Sequence, residues 1–284
     1  MTANRSEAPS SDVALKTLWG ASRWPASPDS NLVLAHPAWN DAMRRLDQLA
    51  AVHASGVVHG AHGIGKSFLL HRWTERLPAK HYRVLRLAHS SLMGSDLLRQ
   101  LVRLAGKTPL FRRGDNVAAL ADLWSEWAPS WPVIVLEEAQ DLNVAALEEL
   151  RLLTCSRSDA KAPFSLILCG DDELVPRLDL GINRALMSRL GFCLHLERWS
   201  PDTLGDYLKG QLADVGIHTS PFEPAAHTLI IQAAQGTPRT LNALVLRSME
   251  QAAHANRRSV TAADVQAALD VLPWLARPRS QAAS

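Results

Sequence analysis

Eight consecutive residues carry the clearest chemical pattern in this chain, Gly60-Ala61-His62-Gly63-Ile64-Gly65-Lys66-Ser67. They match the phosphate-loop pattern G-x-x-x-x-G-K-[ST] at every fixed position. In such a loop, glycines let backbone N–H groups turn toward a phosphate, the lysine reaches the β- and γ-phosphate oxygens, and the hydroxyl binds Mg²⁺. The pattern predicts that residues 60–67, together with Phe68 in the following helix, bind a nucleoside triphosphate and that Ser67 is a ligand of Mg²⁺.

A second pattern is a pair of carboxylates, Glu137 and Glu138, directly after the apolar run Val133-Ile134-Val135-Leu136. In phosphate-loop ATPases, the first acid at this place helps to hold Mg²⁺ and the second polarises the attacking water. We assign Glu137 to the metal and Glu138 to catalysis. The alternative is that two glutamates begin an exposed helix, and the phosphate loop earlier in the chain favours the catalytic interpretation.

The elements around these motifs predict an α/β fold. Apolar or β-prone runs at 57–58, 82–87, 132–136, 164–169 and 192–196 alternate with segments of helical periodicity. Continuous apolar strands suit a parallel sheet that is buried on both faces, which predicts a three-layer αβα core. After Ser200 the pattern is purely helical, with helices over 202–215, 223–234, 238–255 and 261–272, which predicts a small helical lid.

The domain organisation predicted from these patterns has four parts: a flexible segment 1–30, an α/β ATPase domain 31–199, a helical lid 200–272 and a flexible tail 273–284. The 284 residues carry a formal net charge of only +2, so any nucleic-acid surface must be a local patch. Three cysteines without C-x-x-C spacing predict neither a disulfide framework nor a zinc site. No run approaches the roughly 20 apolar residues that span a bilayer, so we expect a cytoplasmic protein without a membrane anchor.

Several segments together resemble the AAA+ ATPases, particularly the branch that holds the ExeA-type secretion ATPases and the TnsC and MuB transposition regulators. The likeness covers roughly residues 19–272. Besides the phosphate loop, it rests on Leu34 to Ala42, on Leu136-Glu137-Glu138-Ala139-Gln140-Asp141-Leu142, on Cys169-Gly170-Asp171-Asp172-Glu173-Leu174 and on Gly236-Thr237-Pro238-Arg239-Thr240-Leu241-Asn242. The resemblance implies ATP as the nucleotide, Mg²⁺ as the metal, a parallel-sheet core with a helical lid, and assembly into rings or filaments.

The resemblance also implies roles for single residues. Arg239 would touch the γ-phosphate, and Asp171 would lie near it. The family commonly carries Asp where this chain has Glu137, and a neutral polar residue where it has Asp171. An acid near the γ-phosphate would repel it unless the acid is paired or protonated. These two departures predict slower hydrolysis.

In such assemblies one subunit supplies an arginine to its neighbour's γ-phosphate. The resemblance implies Arg189 for this role, with Arg184 as the fallback. The alternative is an ordinary solvated helix arginine.

Contact with duplex DNA is a further expectation, based on a basic strip near the second strand and its helix. The alternative is a set of solvated faces. Phosphate contacts from such a strip would be salt-sensitive and largely independent of base sequence. The residues of the strip are Arg99, Arg103, Lys107, Arg112 and Arg113.

Two other residue types suggest no function on their own. The spacing of Trp124 and Trp127 favours a core or interface position over a stacking platform for bases. The eleven histidines form no metal-binding motif along the chain. His62 decorates the phosphate loop, and no role is assigned to His59.

Three functional classes follow. The leading one is a DNA-associated AAA+ ATPase that couples nucleotide state to self-assembly and to recruitment of a transposase or another protein partner. The second is a secretion-associated ATPase of the ExeA type. The third is a weakly hydrolysing ATP-dependent regulatory switch.

Overall fold

The computed structural model describes residues 11–25, 37–88, 94–155 and 162–272. The chain divides into two units. The α/β unit comprises Pro37–Glu197, and the helical unit comprises Met1–His36 with Arg198–Ser284. Each unit has its own apolar core, so each is described by itself.

The α/β unit is built on a five-stranded sheet in which every strand pairing is parallel. The strand order is β2-β3-β4-β1-β5, so β1 lies between β4 and β5. This confirms the predicted parallel α/β fold. The strands are β1 Ser55–Gly60, β2 Tyr82–Leu87, β3 Trp131–Leu136, β4 Ser165–Gly170 and β5 Leu190–Leu196.

The helices alternate with these strands and then follow them without interruption. Helix α1, Ser11–Trp19, belongs to the helical unit. The α/β unit holds α2 Pro37–Ala51, α3 Lys66–Arg76, α4 Gly94–Leu104, α5 Arg113–Glu126, α6 Val144–Leu153, α7 Leu174–Leu178 and α8 Arg184–Met187. The helical unit continues with α9 Pro201–Asp214, α10 Pro224–Ala234, α11 Pro238–His254 and α12 Ala262–Val271.

Side chains on the central strands alternate between two cores, one on each face of the sheet. On β3, Ile134 and Leu136 pack with α4, α5 and α6, whereas Val133 and Val135 pack with α2 and α3. Both faces of β3 are therefore buried, which explains why the strand is apolar at consecutive positions. This is the predicted three-layer arrangement, and it turns the carboxyl ends of all five strands toward one edge.

The helical unit corrects the prediction of a flexible segment over 1–30. Helix α1 lies inside that range, and its Leu15 is buried in the helical core, where α1 packs against α11. Trp19 Nε1 donates a hydrogen bond to the Arg258 carbonyl at 2.7 Å. A helix this short is only marginally stable alone and depends on burial in the tertiary structure. The sequence of the segment, which is polar overall, carries no local signal of that burial. The other predicted termini, 1–10, 26–30 and 273–284, lie outside the described residues.

Two helix starts in this unit are capped by side chains. The Ser200 side chain accepts a hydrogen bond from the Thr203 N–H at the start of α9. At α12, Thr261 and Asp264 form a capping box, in which Asp264 Oδ2 accepts from the Thr261 N–H at 2.8 Å. Arg257 adds two hydrogen bonds to the same carboxylate, at 2.5 and 2.9 Å. Burial would raise the pKa of Asp264, but the bonds from Arg257 and Thr261 outweigh it and hold the pKa below its usual range.

We therefore expect Asp264→Asn to lower the free energy of unfolding by about 1–2 kcal/mol at pH 7. Because the folded-state pKa of Asp264 is depressed, its contribution is present above the unfolded-state pKa and is lost as the pH falls through the folded-state pKa. The gap between wild type and variant should close on acidification. Urea unfolding between pH 7 and pH 3 measures this. Asp270→Asn, at an exposed position of α12 that contacts Gln266, is the control, and an equal loss in both variants would contradict the assignment.

Candidate functional site

The phosphate-loop residues lie between the end of β1 at Gly60 and the start of α3 at Lys66. Gly63 and Gly65 have φ angles of 75° and 106°, values that side-chain-bearing residues rarely adopt. Lys66 is only 8% exposed, and its Nζ donates to the carbonyls of Gly60 at 2.7 Å and Ala61 at 3.1 Å. The loop therefore curls around the ammonium group and presents the amino end of α3, the geometry that binds a phosphate.

The first acid of the pair, Glu137, is buried and ion-paired. It is 4% exposed, and its Oε1 accepts from Arg86 Nε at 2.5 Å. Arg86 Nη2 also donates to the Ser67 carbonyl at 3.2 Å. One guanidinium from β2 thus joins the acid after β3 to the first turn of α3. Sequence reasoning missed Arg86, whose only signal was a charge inside a predicted strand.

The second acid, Glu138, is held by a neighbouring amide. Its backbone is left-handed, with a φ of 50°, and its Oε2 accepts from Gln140 Nε2 at 2.8 Å. Gln140 Oε1 accepts from the Asp171 N–H at 3.2 Å, so the amide links the end of β3 to the end of β4. A Cβ at Gly170 would lie 2.6 Å from Gln140 Oε1, so a side chain there would displace this amide from its present contacts. The E-A-Q pattern therefore orients the predicted catalytic acid.

Asp171 follows β4 and contacts the phosphate loop through His62. His62 Nε2 lies 3.2 Å from Asp171 Oδ2, and Asp171 Oδ1 accepts from the Glu173 N–H at 3.0 Å. The sequence indicated that this acid would repel a γ-phosphate unless it were paired. The structure supplies a partner in His62, which is mostly exposed. Its role toward nucleotide stays a prediction.

The donor atoms at this edge fit Mg²⁺. Ser67 offers a hydroxyl and Glu137 a carboxylate, and Mg²⁺ prefers oxygen ligands while keeping several of its waters. The Arg86 guanidinium donates to the Glu137 carboxylate and to the Ser67 backbone carbonyl, so both residues lie next to the same side chain. Because Arg86 contacts one oxygen of the Glu137 carboxylate, Glu137 is suited to bind a water molecule of the Mg²⁺ coordination shell.

The cysteines take no part in chemistry at this edge. Cys169 follows Leu168 on β4, and Leu136, the register partner of Leu168, directly precedes Glu137. Burial, reinforced by the Glu137 carboxylate, raises the pKa of Cys169 to about 12, so it stays a thiol at neutral pH. All three cysteines are free, as the sequence predicted.

The arginines predicted for trans action lie elsewhere in the α/β unit. Arg184 begins α8, and Arg189 follows that helix; both are exposed. Arg189 donates to the Ala185 carbonyl, and its Nη2 lies 3.3 Å from Cys155 Sγ. These contacts hold the Arg189 side chain against its own subunit.

Arg239 belongs to the helical unit, where it is exposed in the first turn of α11. The turn before it is tight: Gly236 has a φ of 76°, and a Cβ there would lie 2.7 Å from Arg198 Cβ. The Gly236 carbonyl accepts from the Trp199 N–H at 3.0 Å. Gly236 therefore sets the start of α11, and the contact of Arg239 with nucleotide stays a prediction.

Three of the five residues in the predicted basic strip have acidic partners. Lys107 Nζ lies 2.9 Å from Glu126 Oε2, and Arg113 Nε lies 2.5 Å from Glu149 Oε1. Arg99 contacts Asp96 at 3.4 Å and lies over the ring of Phe111. These carboxylates reduce the positive potential that the sequence alone suggested.

The aromatic cluster is structural. Trp124 packs against Trp127 and Phe164, with ring centroids 5.3 and 5.8 Å apart, and both tryptophans border the core between the sheet and α5. This agrees with the core interpretation rather than the base-stacking one.

Comparison with known proteins bears on the fold of the α/β unit. Residues 52–178 match the family model described as "AAA domain", and the fold is the AAA+ fold. The "General secretion pathway protein A" of Aeromonas hydrophila is 31% identical over 117 residues, which are 41% of this chain and 21% of that protein. The chain thus aligns with about a fifth of the length of this relative.

Solved structures agree on the fold at low sequence identity. The Aeropyrum pernix ORC2 protein has a TM-score of 0.63 at 19% identity, covering 88% of this chain and 70% of that one. The Aeropyrum pernix ORC1 protein in complex with DNA has a TM-score of 0.66 at 17% identity, covering 87% and 68%. The Thermotoga maritima RuvB Holliday junction branch migration motor has a TM-score of 0.53 at 20% identity, covering 82% and 69%.

No helix in the described part of the chain has the length and apolar character needed to cross a membrane.

The ion pair between Arg86 and Glu137 generates a stability prediction. Arg86→Ala leaves a buried carboxylate without this partner, and we expect a loss of about 2–3 kcal/mol in the free energy of unfolding. This is less than the roughly 3–5 kcal/mol for a fully buried pair, because Arg86 is partly exposed. Arg86→Lys should keep only part of this stability, since an ammonium group cannot reproduce the two guanidinium contacts. Urea unfolding measures both.

The matched control is Arg83→Ala, an exposed position on the same strand, with an expected change within about 0.5 kcal/mol. The double variant Arg86→Met/Glu137→Gln removes both charges together and should lose less than Arg86→Ala. If Arg86→Ala were no less stable than Arg83→Ala, the pair would not hold this edge together.

Proposed function

We propose that this protein binds and hydrolyses ATP. The observation that carries the proposal is the meeting of a buried lysine in a phosphate loop with two acids at the same sheet edge, the first held by Arg86 and the second by Gln140. A phosphate loop alone predicts only binding. A carboxylate held in a fixed orientation adds a group that can polarise water for attack.

Each residue at this edge then has a separate task. The loop N–H groups and Lys66 hold the β- and γ-phosphates. Glu138 accepts a proton from the attacking water, and the Gln140 amide fixes the direction of its carboxylate. Ser67 and Glu137 would hold Mg²⁺, which supplies charge neutralisation on the phosphate oxygens when bound. Arg239 is the proposed γ-phosphate contact from the helical unit.

The wider function that we propose is a cytoplasmic transposition accessory ATPase, in which nucleotide state controls self-assembly and the recruitment of duplex DNA and a transposase. The sequence resemblance to the TnsC and MuB branch supports this, and one protein with a similar fold was solved in complex with DNA. Within the basic strip, Arg103 and Arg112 are the best remaining candidates for phosphate contact, since Arg99, Lys107 and Arg113 contact carboxylates.

A second candidate is an ATPase of a secretion apparatus. The observation that favours it is the 31% identity to the "General secretion pathway protein A" over 117 residues. The same edge chemistry would serve here, but turnover would respond to a protein partner instead of DNA. A slow regulatory switch is the third outcome, favoured by the Glu137–Arg86 pair and by the acid at Asp171.

The test of ATP hydrolysis uses Glu138→Gln and Lys66→Ala in the full chain. We expect Glu138→Gln to bind ATP with unchanged affinity and to hydrolyse it about 10²–10⁴-fold more slowly, because only the proton acceptor is lost. Lys66→Ala should lose binding itself. Calorimetric titration with Mg²⁺-ATP and steady-state phosphate release, each with and without duplex DNA, measure these effects.

The outcomes separate the candidates. DNA-stimulated turnover supports the transposition accessory, DNA-indifferent turnover supports the secretion-associated ATPase, and tight binding with negligible turnover supports the switch. Binding of Mg²⁺-ATP by Lys66→Ala at wild-type affinity would overturn the site altogether.

The trans role of Arg189 is tested by Arg189→Ala. We expect ATP binding to persist while assembly-stimulated hydrolysis falls by about 10³-fold, because the residue would act on a neighbour's phosphate. Arg184→Ala is measured in parallel as the alternative finger, and Arg83→Ala controls for removal of an exposed arginine. Unchanged turnover of Arg189→Ala at concentrations that promote assembly removes this role from it.

A further inference from the structure

A cluster of two histidines and an aspartate lies beside the phosphate loop but outside the residues assigned to nucleotide. His59 on β1 is the direct register partner of His195 on β5, and the rings stack with centroids 4.6 Å apart. Asp172, two residues after β4, reaches the same point: its Oδ1 lies 3.4 Å from His59 Nδ1 and 3.5 Å from His195 Nε2. Three separate chain segments thus converge on one position.

His59 Nδ1 is a buried polar atom that lacks a hydrogen-bond partner among the residues that the structure describes. The distance from His59 Nδ1 to Asp172 Oδ1, 3.4 Å, is longer than that of a normal hydrogen bond. Buried nitrogens are normally satisfied, so an exception needs an explanation. Burial, together with the nearby His195, lowers the pKa of His59, so its ring is neutral at pH 7 and its lone pair is available to a ligand.

We propose that His59, Asp172 and His195 form a binding site for a transition-metal dication of the Zn²⁺ type. The three candidate ligand atoms all lie within 4.8 Å of one another. Two imidazole nitrogens and one carboxylate oxygen suit Zn²⁺ and leave one position of a tetrahedral site open. Asp172 and His195 are about half exposed, so an ion can enter from solvent.

This site is distinct from the one proposed for Mg²⁺. Mg²⁺ prefers oxygen donors, and its proposed ligands are Ser67 and Glu137, whereas imidazole selects later first-row metals. The inference does not depend on ATP binding, because none of the three ligands belongs to the phosphate loop.

A bound ion would nevertheless stiffen the neighbourhood of the loop. His59 directly precedes Gly60, whose carbonyl accepts from Lys66. An ion held by all three ligands would tie the ends of β1 and β5 to the segment after β4. Metal binding should therefore stabilise the folded protein, and the stabilisation should grow with the logarithm of the metal concentration once that concentration exceeds Kd.

The experiment titrates the chelator-treated, nucleotide-free full chain with Zn²⁺ by calorimetry, and with Co²⁺ while recording its visible absorption. We expect one site per chain, a cobalt spectrum of low coordination number, and a rise in Tm with Zn²⁺. His195→Ala and Asp172→Asn change exposed side chains that do not support the core. Each should weaken Zn²⁺ binding by at least about 100-fold, since even loss of an outer-shell group costs about 10–100-fold.

The matched control is His71→Ala. His71 forms an exposed pair with Glu75 on α3, with 3.3 Å between His71 Nε2 and Glu75 Oε1. The pair offers one imidazole and one carboxylate, as the proposed site does, but lacks the second histidine. The Zn²⁺ affinity of His71→Ala should equal that of wild type. Affinities of His195→Ala and Asp172→Asn within about threefold of wild type, or an equal loss in His71→Ala, would overturn the proposal, and loss of ATP binding in Lys66→Ala has no bearing on it.

Discussion

The parallel register around β1 is the constraint on which the candidate site depends. β1 pairs with β4 on one side and β5 on the other, and β3 lies beyond β4. Parallel strands end at a common edge, so residues that follow β1, β3 and β4 meet there although they are far apart along the chain. Lys66, Glu137 and Asp171 are brought together in this way. A slip of one residue in any pairing would turn the acids to the opposite face.

The buried charges at this sheet edge need hydrogen-bond or ion-pair partners, and nearby residues provide them. Lys66 and Glu137 are both more than nine-tenths buried. An unpaired charge in such surroundings is costly, which is why the Lys66 ammonium contacts two carbonyls and the Glu137 carboxylate contacts Arg86. The same contacts orient the groups before any ligand arrives. Pre-organisation of this kind is what makes electrostatic stabilisation effective in catalysis.

The sequence predicted the elements of the α/β fold well because their signals are local. The bounds of β2 agree with the predicted 82–87, and β3 was recognisable as a continuous apolar run. Helices α1, α6, α7 and α8 were not among the predicted elements. Helix α1 is short and its stability comes from burial of Leu15 in a core formed by distant residues, which no local pattern reports.

Residues of the candidate site were predictable from the sequence only where they belong to a motif of neighbouring residues. Lys66 and Glu138 belong to such motifs. Arg86 does not, because its partner Glu137 lies on another strand and the pairing depends on register. The cluster of His59, Asp172 and His195 escaped notice for the same reason, since the sequence spreads its members over more than a hundred residues.

In the basic strip the error is the opposite one, because there the sequence predicted a more positive surface than the structure supports. A run of cations reads as a positive surface until the fold places Glu126 and Glu149 beside Lys107 and Arg113. Charge patterns along a sequence therefore overstate local potential wherever helices pack side by side.

The balance of charge at the proposed nucleotide site argues for cations beyond the one in the phosphate loop. A triphosphate tail carries several negative charges, and Lys66 is the one cation that the phosphate loop itself provides. Arg86 contacts Glu137 and the Ser67 carbonyl, and Asp171 adds an acid that lies beside His62 of the loop. Under the proposed function, even with Mg²⁺ bound, full stabilisation of the transferring phosphoryl group requires further arginines. The arginines proposed for this are Arg239 and, from a neighbouring subunit, Arg189. Under the proposed function turnover would then depend on assembly for an electrostatic reason, because an isolated subunit would lack the positive charge of its neighbour's Arg189.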